Sequence, residues 1–179
     1  SYFNSDLDDA INWIYNGTVR EVKNVHKQKK NGMELSISHE LNDNWNLEAS
    51  YSYVRVRNDN NDGNGFVRDI NYMPNTYRLG VRYHDEKWNA NLTMRAANGA
   101  DTRGKVDTYS GAYLQKYVDS SYITVDMAVS YKATNAWTVF AKGYNLLNRA
   151  YAEQAGATNY RYDYPAQSRR FIVGAEYSF

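Results

Sequence analysis

Apolar and polar residues alternate along this chain with a period of two. From Tyr122 to Lys132, Ile123, Val125, Met127, Val129 and Tyr131 fall on one side, and Thr124, Asp126, Ala128 and Ser130 on the other. That is the pattern of a strand with two unlike faces. The C-terminus repeats it, with Phe171, Val173, Ala175, Tyr177 and Phe179 set against Arg170, Ile172, Gly174, Glu176 and Ser178. Less regular segments at about 1–13, 23–40, 45–58, 76–84, 88–98 and 137–147 bring the expected strands to eight. In each, one face is apolar and the other small, amide or charged.

The connections come in two lengths. Leu-Asn-Asp-Asn follows Glu40, His-Asp-Glu-Lys follows Tyr83, and Lys-Ala-Thr-Asn-Ala follows Tyr131; between them lie long stretches, Asn58 to Tyr72, Asn98 to Ser120 and Asn148 to Gln167. Short and long therefore alternate, so all short turns share one end of the sheet and all long loops the other. A polarised antiparallel meander of this kind is the arrangement of a transmembrane β-barrel with short periplasmic turns and long extracellular loops.

Tryptophan adds a second mark. Trp45, Trp88 and Trp137 each open the strand after a short turn, on its apolar face. Tyr83 and Tyr131 end the preceding strands near the same level, and Tyr51 and Tyr53 lie toward the other end. Indole and phenol rings suit a membrane interface because they join an apolar body to a polar tip. The segments also have the roughly 9–11 residues that a tilted strand needs to cross a bilayer. A soluble β-protein that uses tryptophan to start its strands is the bland alternative.

Composition then takes on meaning. The 179 residues include 18 Tyr, 4 Trp and 5 Phe, no Cys and only 2 Pro, and mean hydropathy is −0.77. Apolar runs of about three residues exclude a membrane helix, which needs roughly 20. The missing cysteines exclude disulfide staples and cysteine zinc sites. A net charge of +1 gives no broad pull toward nucleic acid. No segment reads as a signal peptide, as expected of a chain that is cytoplasmic or already processed.

Lys142-Gly-Tyr-Asn-Leu-Leu-Asn-Arg-Ala-Tyr151, followed by a Pro-containing loop, Arg170 and a closing strand, resembles the end of TonB-dependent receptors. There, an Asn-Leu-Phe-Asp run and a later Tyr precede a Pro-Gly-Arg element. Asn24-Val-His-Lys and Gly32-Met-Glu34 resemble the family's Asn-Val and Gly-x-Glu-Leu patterns, and Asp126 its recurrent strand aspartate. Leu147 and Asn148 stand where the family has Phe and Asp, and Gln167 to Arg170 lacks the glycine. Phe171, Tyr177 and Phe179 resemble the C-terminal assembly signal of outer-membrane proteins. The resemblance implies that residues 1–179 are the C-terminal third of a 22-stranded barrel in the outer membrane of a diderm bacterium. It also implies, as partners, outer-membrane lipid, the remaining strands and a plug domain, TonB acting through the plug, the barrel-assembly machinery and a nutrient chelate. The cargo expected is a ferric siderophore, with cobalamin and haem left open.

A self-standing eight-stranded barrel with a structural or adhesive role is the competing architecture. Inward charges at Glu34, Glu48, Arg78, Arg82, Arg95, Asp126, Lys142 and Glu176 could pair inside it or line a wide wet pore. Candidate ligand contacts are loop residues Tyr109, Tyr113, Tyr117, Tyr160, Tyr162, Tyr164, Arg103 and Arg161, which could stack on a planar ligand or meet an anionic chelate. No catalytic constellation is present, and no cofactor or protein metal site is expected, because His26, His39 and His84 share no close spacing. Asn58 to Gly63 with Asp69 only approximates a calcium loop, with Asp in place of the bidentate Glu.

Overall fold

A computed structural model describes residues 1–15, 20–59, 63–68, 73–99, 121–151 and 166–179. Among these the chain forms nine antiparallel strands: β1 (Tyr2–Tyr15), β2 (Arg20–Glu40), β3 (Trp45–Asp59), β4 (Val67–Arg68), β5 (Asn75–His84), β6 (Trp88–Asn98), β7 (Ser121–Lys132), β8 (Trp137–Tyr144) and β9 (Arg170–Tyr177). Eight lie in one sheet in sequence order, and the two-residue β4 is a short strap on β3. The meander expected from the connections is therefore present.

The sheet has no closed core of its own. Among the described residues the buried apolar side chains are Val56 and Ala97, while Leu35, Ile37, Leu79, Leu92, Met127, Val139 and Val173 stand exposed. Strand register places these seven on one face. A soluble domain of this length buries roughly 70% of the surface its unfolded chain exposes. An uninterrupted apolar face of this extent calls for hydrocarbon rather than water, which sets aside the soluble alternative.

Among the described residues β1 pairs only with β2, and β9 only with β8. The two ends do not meet, so this chain does not close as the eight-stranded barrel considered above. Curvature alone cannot close it while two strand edges are unmatched.

Element bounds differ from expectation in two places. β1 and β2 run on to Tyr15 and from Arg20, so only residues 16–19 separate them. At about 3.3 Å per residue β2 reaches about 70 Å, far more than a membrane crossing needs. Its outer part is charged and continues to ladder with β1 past the last pairing with β3. A bulge between Leu7 and Ala10, with Asp9 at φ 57°, interrupts the β1–β2 ladder. β8 stops at Tyr144 rather than 147, because Asn145 takes a φ of 47°.

Two glycines are set by close ring packing. The Phe140 ring lies over Gly174, its register partner, where a Cβ would come within 2.5 Å of the ring. Phe3 covers Gly32 likewise, and the Tyr53 carbonyl also crowds that site. An aromatic ring laid across a strand glycine restores packing that the glycine lacks.

Candidate functional site

The three short turns are built alike. Asn42 Oδ1 accepts from the backbone N–H of Asn44 and Trp45, both at 3.0 Å. Asp85 Oδ1 accepts from Lys87 (2.8 Å) and Trp88 (2.6 Å), and Thr134 Oγ1 from Ala136 (3.2 Å) and Trp137 (3.0 Å). A short polar side chain three residues before each tryptophan thus holds the turn. The residue just before each tryptophan then bonds the next strand, through His84 N to Asn44 O, Lys132 N to Lys87 O and Ser178 N to Ala136 O. Asp85 also accepts from the Tyr83 hydroxyl at 2.6 Å. That bond and the two backbone donors hold its carboxyl below the usual aspartate range.

Each of the three turn tryptophans faces a tyrosine across the strand pair. Trp45 packs on Tyr83 (ring centroids 4.8 Å), Trp88 on Tyr131 (4.5 Å) and Trp137 on Tyr177 (5.0 Å). The residues expected to form a belt thus stand in indole–phenol pairs, and Tyr177, expected as part of a terminal signal, completes the third pair. Phe179 follows 6.3 Å from Tyr177, and Phe171 lies exposed on the same face. Toward the other end, Tyr51 stacks on Tyr77 at 5.0 Å.

The opposite face is polar and carries two ion pairs. Arg82 Nη2 meets Glu48 at 2.9 Å, reaching diagonally past Gly80, which stands opposite Glu48 and leaves room. Arg95 Nη2 meets Asp126 Oδ2 at 2.8 Å, again diagonally. Arg78 stands in register with Arg95, and like charges directly opposite repel. Arg95 turns to Asp126, and Arg78 makes no ion pair among the described residues.

Asp126 is also where the last long connection begins. Its Oδ1 accepts from Asn145 N at 2.7 Å. Asn145, only 4% exposed, donates Nδ2 to Arg149 O (2.8 Å) and Gln167 O (3.1 Å) and accepts from Arg149 N (3.0 Å). One buried residue therefore joins β7 through its backbone N–H, and its own turn and the lead into β9 through its side-chain amide. Leu146 N bonds Val125 O at 2.8 Å, and the Tyr151 ring lies 4.3 Å from that of Tyr122 on the inner face of β7. Thr124, between Asp126 and Tyr122 on that face, is 1% exposed. Ala166 N then bonds Tyr151 O at 2.8 Å. Both feet of the connection are thus tied together on the inner wall, below the rim formed by the end of β7.

Those feet carry residues 152–165, where Tyr160, Arg161, Tyr162 and Tyr164 lie. These four, with Arg103, Tyr109, Tyr113 and Tyr117, fall outside the described residues, as does part of the 58–69 loop. Among the described residues no three His, Asp or Glu side chains converge as a metal site. The sequence signal for the turns was available but subtle: Asn, Asp or Thr recurs three residues before each turn tryptophan.

Residues 1–146 match the family model described as TonB dependent receptor-like, beta-barrel. An uncharacterized TonB-dependent receptor of Haemophilus influenzae is 27% identical over 143 residues, covering 76% of this chain and 41% of that protein. An iron-regulated outer membrane virulence protein of Vibrio cholerae is 25% identical over 165 residues, covering 87% and 22%. This chain therefore spans less than half the length of the first of these relatives and less than a quarter of the second. Among solved structures, the FpvAI–pyocin S2 complex aligns with a TM-score of 0.77 at 17% identity, covering 99% of this chain and 24% of that one. The ferric-catecholate import receptor Fiu of E. coli aligns at 0.70 and 18%, covering 99% and 24%. These last two likenesses are of fold.

Proposed function

Since this chain belongs to the TonB-dependent receptor β-barrel family, we propose that it is the C-terminal part of a 22-stranded barrel that binds and imports a ferric siderophore. It lies in the outer membrane, with its alternating apolar face toward lipid and its polar face toward the lumen. The observation that carries the reading is the polar wall flanked by two edges that are unpaired among the described residues. Hydrocarbon does not tolerate unpaired strand edges, so β1 and β9 are completed by further strands, and a barrel with more strands than eight has a lumen too wide for side chains to fill. A plug in that lumen would receive energy from TonB.

In this reading the Trp–Tyr pairs mark the periplasmic interface and Phe171, Tyr177 and Phe179 serve barrel assembly. The two ion pairs line the translocation path, and the Asp126–Asn145 tie anchors both feet of the last long connection to that wall. Iron cargo is supported by the V. cholerae relative's description as iron-regulated. The test is uptake of radiolabelled ferric chelates, haem and cobalamin by cells with and without the intact receptor, in backgrounds with and without TonB. TonB-dependent accumulation of a ferric chelate is expected. Receptor-independent uptake of every ferric chelate, or transport of cobalamin or haem instead, would overturn the assignment of cargo.

A further inference from the structure

The middle of the polar face can be balanced charge by charge, and one cation is left over. Register across five strands sets Ser36, Ser50, Arg78, Arg95 and Thr124 in one row, each member of which carries a hydrogen-bond donor. The next row toward the short turns runs Ser38, Glu48, Gly80, Thr93 and Asp126, and holds the carboxylates. Arg82, one row nearer the turns again, reaches back to Glu48, and Arg95 reaches across to Asp126. Both carboxylates are thereby matched, while Arg78 makes no ion pair among the described residues.

Glu48 stands between two cations. It lies opposite Gly80, with Arg78 and Arg82 an equal step to either side on the same strand face, so both are in diagonal reach. It holds Arg82, whose Nη2 lies 2.9 and 3.0 Å from the two carboxylate oxygens. Arg78 instead borders a recess of about 390 Å³ in the polar face, lined also by Ser36, Ser38, Ser50, Glu48 and Arg82. Short serine side chains keep this recess open and offer hydroxyl donors beside the free guanidinium, a combination that fits a carboxylate.

Position in the wall selects the source of that carboxylate. Arg78 is five residues from Tyr83, the register partner of Trp45, or roughly 12 Å along the membrane normal for a strand tilted about 45°. That is near the middle of an apolar band about 25 Å tall, deep in the lumen, where the receptor proposed above holds its plug. Resting on that reading, we propose that Arg78, with the Ser36 and Ser50 hydroxyls, is an exchangeable seat for an acidic side chain of the plug, and that Glu48 is its internal substitute. With the plug docked, its carboxylate meets Arg78 and Glu48 stays with Arg82. When the plug side chain withdraws, Glu48 shares itself between the two guanidinium groups, so no cation is left bare. Release then gives up one weak, solvated ion pair, which suits a plug that must shift to let cargo pass.

Zero-length cross-linking in the whole receptor, purified in detergent, tests the seat. In Arg78→Lys the introduced amine condenses with a carboxylate it touches when a water-soluble carbodiimide is added; an amide forms, and the carboxylate oxygen leaves on the urea by-product. Mass spectrometry of the digest then identifies the joined peptides. A link to an Asp or Glu of the plug is expected, and Arg82→Lys, as control, should join to Glu48. Changing the linked plug acid to its amide should abolish that link and transfer it to Glu48. A link to Glu48 alone with the plug unaltered, or no link where the control couples, would overturn the seat; failure of the link to transfer would overturn the exchange. If neither lysine couples, amide exchange of the plug decides: Arg78→Gln is expected to speed it about twofold to fivefold, and unchanged exchange rejects the seat. Intact TonB-dependent uptake without a plug link rejects the seat alone, whereas absence of such uptake in wild type rejects the receptor reading.

Discussion

The backbone N–H of Asn145 donates to Asp126 Oδ1 at 2.7 Å, while the other oxygen of the same carboxylate holds Arg95 at 2.8 Å. Asp126 is shared between a wall and a loop. The two bonds differ in weight because Asn145 is buried and Arg95 is half exposed. Asn145→Ala removes three side-chain bonds from a buried site and leaves Ala at positive φ. The cost expected is about 2–4 kcal/mol, measured by denaturant unfolding followed through tryptophan fluorescence. Asn145→Asp keeps the acceptor for Arg149 N but loses both donors and faces Asp126, so it should not rescue.

Arg95→Ala removes an exposed ion pair and should cost no more than about 1 kcal/mol. A loss as large as that of Asn145→Ala would show that the ion pair, not the amide, holds the loop.

The repeated turns make a separate prediction. Replacing Asn42 or Thr134 by Ala leaves two turn N–H groups without their acceptor and should cost about 0.5–2 kcal/mol each. The two lie on turns separated by another hairpin, so their effects should add in the double variant within about 0.5 kcal/mol. Strong non-additivity would mean that the rim behaves as one unit.

Asp85 gives the pH dependence. Its carboxyl titrates lower when folded than when unfolded, so its contribution is fully present above the unfolded aspartate value and fades as pH falls through the depressed one. Unfolding midpoints of wild type and Asp85→Asn should therefore differ most near neutrality and converge in acid. A difference that grows on acidification would contradict the assignment.

Gly174→Ala pushes a methyl into the Phe140 ring and should cost about 1–3 kcal/mol. Phe140→Leu removes that ring, so the double variant should be more stable than the sum of the two changes predicts. At Gly32 the same cycle with Phe3 should show little relief, because the Tyr53 carbonyl crowds the position independently of the ring.

Periodicity made the faces legible in the sequence, since a side chain's face depends only on odd or even position. Turn position was legible too, because tryptophan follows each short connection. Two kinds of feature were not. Residues 137–147 read as one strand, yet Asn145 ends it through a left-handed backbone stabilised by Asp126, Arg149 and Gln167, partners from three different places in the chain. The outward extension of β1 to Tyr15 and of β2 back to Arg20 lies beyond the segments 1–13 and 23–40 that the sequence suggests, because strand residues this far out need show no alternation. Above the membrane no solvent contrast requires it, and backbone pairing alone carries the ladder. The shared seat of Asp126 at both an ion pair and a loop foot depends on diagonal reach across strands, which spacing along one strand does not express.

The unbroken sequence order of the eight long strands bears on how the molecule assembles. With no crossover, each strand finds its partner among its immediate sequence neighbours, and loop closure penalises a long connection over a short one only logarithmically. The three tryptophan turns can close first, each as an independent hairpin, and the sheet can then grow by joining hairpins rather than by searching for distant segments. The long stretches 99–120 and 152–165 set the slower joins, so changes there should alter the rate of insertion more than the strength of the finished wall.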